Sequence, residues 1–159
     1  MKNLGWLFFA LGLAVLSVSC TGGSPRLFVP PTVNAAGFSN ASLTGGYGFA
    51  DSGETLVTAA IKFAEAGVLT FDGAGSFRGT ASMNNGGMIC AAIVTGTYSI
   101  NSDGSGSATV TQTPDAASSA RGCTLVTFPA ALGLSSGGAQ IQFVELSTAE
   151  ILSGLALKQ

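Results

Sequence analysis

The segment SINSDGSGSATV, residues 99–110, carries oxygen-bearing side chains at alternate positions. Calcium-binding loops place ligands at this spacing and close with a bidentate glutamate at the twelfth position. Here positions 1, 3, 5 and 7 would be Asn101, Asp103, Ser105 and Ser107, and the twelfth is Gln112. A single carboxylate binds a divalent cation poorly, whereas Asn, Asp and Gly favour tight turns between strands. We therefore predict a hairpin here and no metal site.

Two glutamates lie on otherwise apolar alternating segments. Glu65 and Glu145 each follow large apolar residues at two-residue spacing. If those segments are strands that line an interior, the carboxyl groups could orient a ligand or act as general acid or base, near Tyr47 or Tyr98. The alternative is that each carboxyl lies at a strand end, in water. Tyr47, Glu65, Tyr98 and Glu145 are thus the candidate ligand-binding residues, and no catalytic residue is assigned.

Histidine is absent from the chain, which narrows the chemistry further. The segment GLSSG, residues 133–137, matches Gly-x-Ser-x-Gly, but an activated serine needs a base, and a Ser-His-Asp triad is excluded. The segment GAGSFRG, residues 73–79, lacks the Lys of a phosphate-binding loop. A net charge of −2 with 6 Lys and Arg gives no basic patch for nucleic acid. We predict no cofactor and no nucleic-acid partner.

Residues 1–19 are typical of an export signal, with Lys2 ahead of an apolar stretch and small residues before Cys20. The segment LSVSC resembles a bacterial lipobox, in which the cysteine becomes the lipidated first residue of the mature protein; Ser17 stands where Leu or Val is usual. We predict a lipid anchor on Cys20 in the bacterial outer membrane or at the cell surface, and a flexible tether over residues 20–40. The alternative is ordinary cleavage, which gives a periplasmic or secreted soluble protein.

Three cysteines are an odd number for an oxidising compartment. Lipidation of Cys20 would leave Cys90 and Cys123 as a pair, and we predict a disulfide bond between them. A bridge that closes a loop of this length stabilises a protein by roughly 3–4 kcal/mol. Two buried free thiols are the alternative.

From Leu43 onward, apolar residues recur at every second position, which in a strand places them on one face. Only 9% of the residues are charged and 23 are glycine, a composition that favours short strands and tight turns. We predict eight strands, at about residues 43–50, 60–72, 75–84, 88–100, 106–113, 122–129, 138–147 and 150–158. The segment from Leu56 to Phe71 holds Gly67 and is read either as one bulged strand or as a helical turn leading into a strand.

The links between these strands, such as DGAG, NNGG and NSDGSG, are too short for parallel crossovers. Consecutive strands should therefore pair antiparallel. The predicted fold class is all-β: an eight-stranded antiparallel meander closed into a barrel over residues 41–159, since closure removes exposed edges. A two-sheet β-sandwich is the alternative.

Two hairpins share one scheme, VLTFDGAGSFRGTAS at 68–82 and TYSINSDGSGSATVT at 97–111. Together with LTGGYGF at 43–49 and the closing LKQ at 157–159, these segments resemble a group of small, uncharacterised exported bacterial proteins, and more remotely the lipocalin-like (calycin) and allene-oxide-cyclase-like barrels. The resemblance implies an eight-stranded barrel of a kind that can hold an interior ligand, and it implies no reaction. The Gly-x-Trp signature of lipocalins is missing, because the one tryptophan is Trp6.

These patterns together predict a non-catalytic exported β-barrel lipoprotein, either an envelope-structural module or a binder of a small apolar ligand. One alternative is a cyclase- or isomerase-like enzyme that uses Glu65 or Glu145. The other is a surface adhesion protein that exposes strands rich in Gly, Ser and Thr.

Overall fold

The computed structural model describes residues 37–56 and 60–159. Its strands are β1 (Thr44–Thr55), β2 (Lys62–Asp72), β3 (Ser76–Asn85), β4 (Met88–Ile100), β5 (Ser105–Pro114), β6 (Val126–Ser135), β7 (Gln140–Glu145) and β8 (Glu150–Lys158). One short helix, α1 (Ala116–Ala120), lies between β5 and β6, and 3-10 turns span Asn40–Ser42 and Ser136–Gly138. Within the described ranges, no helix has the length and apolar character needed to cross a membrane.

Each strand pairs antiparallel with the next one along the chain, and β1 also pairs with β8. Tyr47 of β1, for example, lies between Leu69 of β2 and Lys158 of β8. The sheet therefore closes on itself. The predicted eight-stranded antiparallel meander in a closed barrel is confirmed, and the sandwich alternative is excluded.

The largest departure from the predicted strands is β6, which was expected at residues 122–129 and runs from Val126 to Ser135. The connection between β5 and β6 contains α1, which is capped by the Asp115 side chain as it accepts a hydrogen bond from the Ser118 N–H at 2.6 Å. Apolar spacing around Cys123 resembled a strand but belongs to the connection that follows the helix. In the segment from Leu56 to Phe71, the residues from Lys62 onward belong to β2.

Two ends of the barrel differ in how they are closed. The lower end is defined by the 3-10 turns at Asn40–Ser42 and Ser136–Gly138, and the upper end by the β3–β4 hairpin and α1. At the lower end, the Tyr47 hydroxyl donates to the Gly138 carbonyl at 2.6 Å, and the Tyr98 hydroxyl lies 3.1 Å from the Leu43 carbonyl. Tyr47 and Leu43 are fully buried. The lower end is therefore sealed by packed side chains and hydrogen bonds.

An aromatic cluster fills the lower half of the interior. The Phe71 ring lies 5.1 Å from Tyr47, 5.2 Å from Phe77 and 5.3 Å from Tyr98, measured between ring centroids, and it meets both tyrosines edge to face. Such pairs stabilise a core beyond the area that they bury. These rings therefore fill the lower end of the barrel interior.

Inward-facing glycines make room for phenylalanine rings on the neighbouring strand. In four cross-strand pairs the ring lies on the glycine backbone, so that an added Cβ would collide with it: Gly53 with Phe63, Gly67 with Phe49, Gly96 with Phe77 and Gly154 with Phe143. A ring that covers a glycine in this way shields the backbone and fills the interior without widening the barrel.

Residues just before β1 also belong to the barrel. Phe38 packs against the core and its N–H donates to the Ser102 carbonyl at 3.1 Å. The Asn40 side chain accepts from the Ile100 N–H at 2.8 Å. The tether predicted for residues 20–40 therefore overlaps the barrel at its C-terminal end. The predicted signal segment 1–19 and Cys20 lie outside the described residues.

The segment with calcium-loop spacing, residues 99–110, contains the β4–β5 turn. Asp103 accepts hydrogen bonds from the Ser105 N–H at 2.9 Å and from the Ser105 hydroxyl at 2.6 Å, so its carboxylate is used within the turn. In the β2–β3 turn, Asp72 accepts from three backbone N–H groups at 2.8–3.0 Å. In both turns an Asp carboxylate accepts hydrogen bonds from residues that follow it, which explains their common sequence scheme.

Because phenylalanine rings lie on these glycines, we predict that one methyl group added to such a glycine destabilises the fold. Gly67→Ala places a Cβ against the Phe49 ring and the Thr80 carbonyl oxygen, and we expect it to lower the free energy of unfolding by about 1–3 kcal/mol. Gly133→Ala is the matched control, because that glycine is exposed on β6 and no atom lies within 4 Å of the added Cβ. Urea denaturation followed by circular dichroism measures both. Equal stability of the two variants would contradict the packing described here.

Candidate functional site

The upper half of the barrel contains a cavity of about 200 Å³. Its apolar wall comes from side chains at the upper ends of several strands, among them Phe63, Met83, Met88, Phe128 and Leu152. Polar side chains on the same wall are Glu65, Asn85, Gln112, Thr124 and Glu150. A small chamber with a mostly apolar wall and a few polar groups is typical of a ligand site.

A second, smaller cavity of about 60 Å³ is lined by residues from the middle of the strands. Its wall is apolar except for Asp51 and Gln112. Gln112 and Phe128 line both cavities, so the two lie next to each other inside the barrel. The interior is thus packed below and hollow above.

Glu65 is placed in this interior, as the alternation predicted. It lies on β2, is 4% exposed, and accepts hydrogen bonds from Gln112 Nε2 at 2.9 Å to each carboxyl oxygen. Gln112 lies on β5, which is not a neighbour of β2 in the sheet. The hydrogen bond therefore crosses the barrel, and it favours the ionised form of Glu65 while burial raises the pKa of that carboxyl.

Asp51 lies directly opposite Glu65 in the β1–β2 pair and faces the same interior. Burial, and then the neighbouring Glu65 and Glu145, raise the pKa of the Asp51 carboxyl to about 8. Its Oδ1 atom is buried and has no hydrogen-bond partner. The Asp51 carboxyl is therefore largely protonated at neutral pH.

Glu145 and Glu150 add two more carboxyl groups to the upper interior. Glu145 is 8% exposed, and its Oε2 atom has no hydrogen-bond partner. Burial raises the pKa of Glu145, and the nearby Glu150 raises it further. Burial also raises the pKa of Glu150. Four carboxyl groups from β1, β2, β7 and β8 thus lie toward the upper end of the barrel: Glu65 and Glu150 line the larger cavity, Asp51 lines the smaller one, and Glu145 lines neither.

The four candidate residues from the sequence do not form one group. Tyr47 and Leu69 are paired, whereas Asp51 and Glu65 pair four residues further along the same two strands. Both tyrosine hydroxyls donate to backbone carbonyls at the lower end. The structure therefore brings Glu65 and Glu145 to the upper interior and places Tyr47 and Tyr98 in the lower core.

Three polar residues of the site, Asp51, Gln112 and Glu150, are not among the candidates from the sequence. Asp51 continues the alternation of Tyr47 and Phe49 by one more step, but the predicted first strand ended at residue 50. Gln112 was considered only as the twelfth residue of a calcium loop. In the structure it faces the interior from β5. Extending the period-two pattern through positions 51 and 112 would have found these two residues.

The predicted Cys90–Cys123 disulfide is confirmed, with Cα atoms 6.1 Å apart. It joins the start of β4 to the segment after α1, and both cysteines line the larger cavity. The Ser118 hydroxyl of α1 accepts from the Ala91 N–H at 2.8 Å and ties the same helix to β4. The bridge therefore fixes one side of the cavity wall.

Within residues 37–56 and 60–159, no three Cys, Asp or Glu side chains are grouped so that they could hold a metal ion. No family model, curated protein or solved structure matches this chain.

The raised pKa of Asp51 predicts how stability depends on pH. Below about pH 4 the carboxyl is protonated in both the folded and the unfolded protein, and it has no effect. Between the ordinary value of 3.8 and the folded value of about 8, unfolding releases a proton, so the free energy of unfolding falls as pH rises. Above about pH 8 this loss is complete.

We expect stability to fall from pH 5 to pH 8 with a slope of up to about 1.4 kcal/mol per pH unit from Asp51. Asp51→Asn should reduce that slope, and Glu54→Gln, a change on the outer face of the same strand, should leave it unchanged. Urea denaturation at four pH values measures the slopes. An Asp51→Asn protein with the wild-type slope would show that this carboxyl does not titrate as described.

Proposed function

We propose that this protein is a non-catalytic exported β-barrel that binds one small, largely apolar molecule in the cavity of its upper half. The observation that carries the proposal is the contrast between the two halves of the interior. Aromatic rings fill the lower half, whereas the upper half has a chamber of about 200 Å³. A purely structural barrel of this size gains stability from a filled interior, because unfilled space loses packing contacts.

The chamber wall also suits a ligand. Methionine side chains at Met83 and Met88 adapt their shape to different apolar surfaces, and Phe63 and Phe128 offer flat rings. The disulfide between Cys90 and Cys123 holds the adjoining wall in place. A preformed apolar chamber of this kind binds without a large ordering cost.

A cyclase- or isomerase-like reaction is the second candidate, favoured by one observation. Asp51 has a pKa of about 8, close to the pH at which most proteins work, as is common for general acids and bases. Binding is preferred because the hydroxyls of Tyr47 and Tyr98 are used at the lower end and give the carboxyl groups no partner. An enzyme would release a changed molecule, and a carrier would return the same one.

The binding proposal predicts that gently extracted protein carries a small molecule, detected by native mass spectrometry as one added mass per chain. The neutral fluorescent probe N-phenyl-1-naphthylamine should bind emptied protein at one site. Ala92→Leu places a larger side chain in the cavity wall and should weaken probe binding about tenfold or more.

Ala50→Leu is the matched control, because Ala50 is exposed on the outer face of β1 and should leave probe binding unchanged. Circular dichroism checks that both variants are folded. Protein without an added mass that also fails to bind the probe would refute ligand binding.

We further propose that the barrel is anchored to the bacterial outer membrane or cell surface through a lipid on Cys20. Mass spectrometry of the mature N-terminal peptide should find Cys20 as the first residue, with its thiol and amino group acylated. Cys20→Ala should move the protein from the membrane fraction to the soluble fraction, and Thr21→Ala should not. A mature chain with an unmodified Cys20 would refute the anchor and favour a periplasmic or secreted soluble form.

A further inference from the structure

We propose that the ligand carries a protonated amino group, bound by the facing carboxyl groups of Asp51 and Glu65 with Glu145 close to Asp51, on an apolar body that occupies the upper cavity. This inference rests on the proposed binding function and names the chemical class of the ligand. Three independent features of the interior support it.

The first feature is the kind of atom left without a partner. Among the described residues, the buried side-chain polar atoms without a hydrogen-bond partner are Asp51 Oδ1, Asn85 Oδ1 and Glu145 Oε2. All three are oxygens, and the Gln112 amide that donates nearby is already bonded to Glu65. A buried acceptor without a donor costs about 1–3 kcal/mol, and an ammonium group brings three donors. A ligand that donates hydrogen bonds would supply partners for these oxygens.

The second feature is the distribution of charge. Four carboxyl groups face the upper interior, whereas every Lys and Arg side chain within the described ranges is exposed, namely Lys62, Arg78, Arg121 and Lys158. Arg121 is held outside by hydrogen bonds to the Ile89 carbonyl and the Ser118 hydroxyl. A fatty acid or another anion would meet like charges in the cavity without a cation to pair with. A cation would meet opposite charges in a medium of low dielectric constant, where the attraction is strong.

The third feature is the apolar lining beside the carboxyl groups, since Glu65 and Glu150 line the larger cavity and Asp51 lines the smaller one that adjoins it. The larger cavity is lined by Phe63, Met83 and Leu152 as well as by Glu65. Within residues 37–56 and 60–159 the acidic side chains are not grouped as metal ligands. An organic ammonium fits this combination, because its charged end pairs with the carboxyl groups while its hydrocarbon part contacts the wall. Aromatic rings add a favourable contact with the cation.

Binding of an ammonium group must also change the protonation of the site. In the free protein the burial of Asp51 opposite Glu65 keeps the Asp51 carboxyl protonated at neutral pH. A bound cation favours the carboxylate, so Asp51 loses its proton to solvent as the complex forms. The protein should therefore release close to one proton for each amine bound at pH 7.

Three matched probes separate this inference from the binding function: benzylammonium, benzyl alcohol and phenylacetate. Isothermal titration calorimetry at pH 7, in two buffers with different ionisation enthalpies, measures affinity and proton release together. We expect benzylammonium to bind about tenfold or more tighter than benzyl alcohol, with proton release. Benzyl alcohol should bind without proton release, and phenylacetate should be the weakest of the three.

Substitutions of single carboxyl groups test which of them causes the proton release and the preference for the amine. Asp51→Asn should abolish most of the proton release and the preference for benzylammonium over benzyl alcohol, and Glu145→Gln should reduce the preference. Glu54→Gln, on the outer face of β1, is the matched control and should change neither. Benzyl alcohol that binds as tightly as benzylammonium, without proton release for either, would overturn the amine assignment and leave ligand binding standing. Failure of all three probes, and of N-phenyl-1-naphthylamine, would overturn both.

Discussion

The space inside this barrel is set by phenylalanine rings that lie on glycine backbones in the next strand. An eight-stranded barrel is only just wide enough for its own side chains, so a ring that points inward must find room. The glycines at 53, 67, 96 and 154 supply that room directly opposite each ring. Because these pairs occur at several heights, the diameter stays narrow along the whole barrel. The cavity above Phe71 exists since smaller and more flexible side chains replace the ring cluster there.

The narrow interior of the barrel also determines the electrostatics of its buried carboxyl groups. Side chains from strands that are not neighbours meet across the interior, as Glu65 and Gln112 do. A carboxyl group in so small a space cannot move away from its neighbours, and water reaches it poorly. The cost of ionising Asp51 thus follows from the barrel diameter as much as from the acidic residues themselves. The folded protein nevertheless keeps this carboxyl group buried, and perturbed pKa values of this kind are frequent at functional sites.

The fold was predictable because it depends on two local signals. Alternating apolar residues identify the inner face, and short turns built on Asp72 and Asp103 allow only antiparallel neighbours. The site was only half predictable. Glu65 and Glu145 each follow apolar residues at two-residue spacing, so the pattern places them on the inner face. The hydrogen bond between Glu65 and Gln112, in contrast, depends on closure of the sheet. No spacing along the chain encodes which distant strands face each other. The strand predicted at residues 122–129 begins too early because residues around Cys123 alternate like a strand, although they form the connection between α1 and β6.

The position of Phe38 and Asn40 at the lower end has a geometric consequence. The chain enters the barrel beside the sealed end, where Phe38 bonds to Ser102 and Asn40 to Ile100. The chamber lies beyond the ring cluster, toward the far ends of strands that are 6 to 13 residues long. At about 3.3 Å per residue, the longer strands span roughly 30–40 Å. The point at which Phe38 joins the barrel and the chamber therefore lie at opposite ends of the strands.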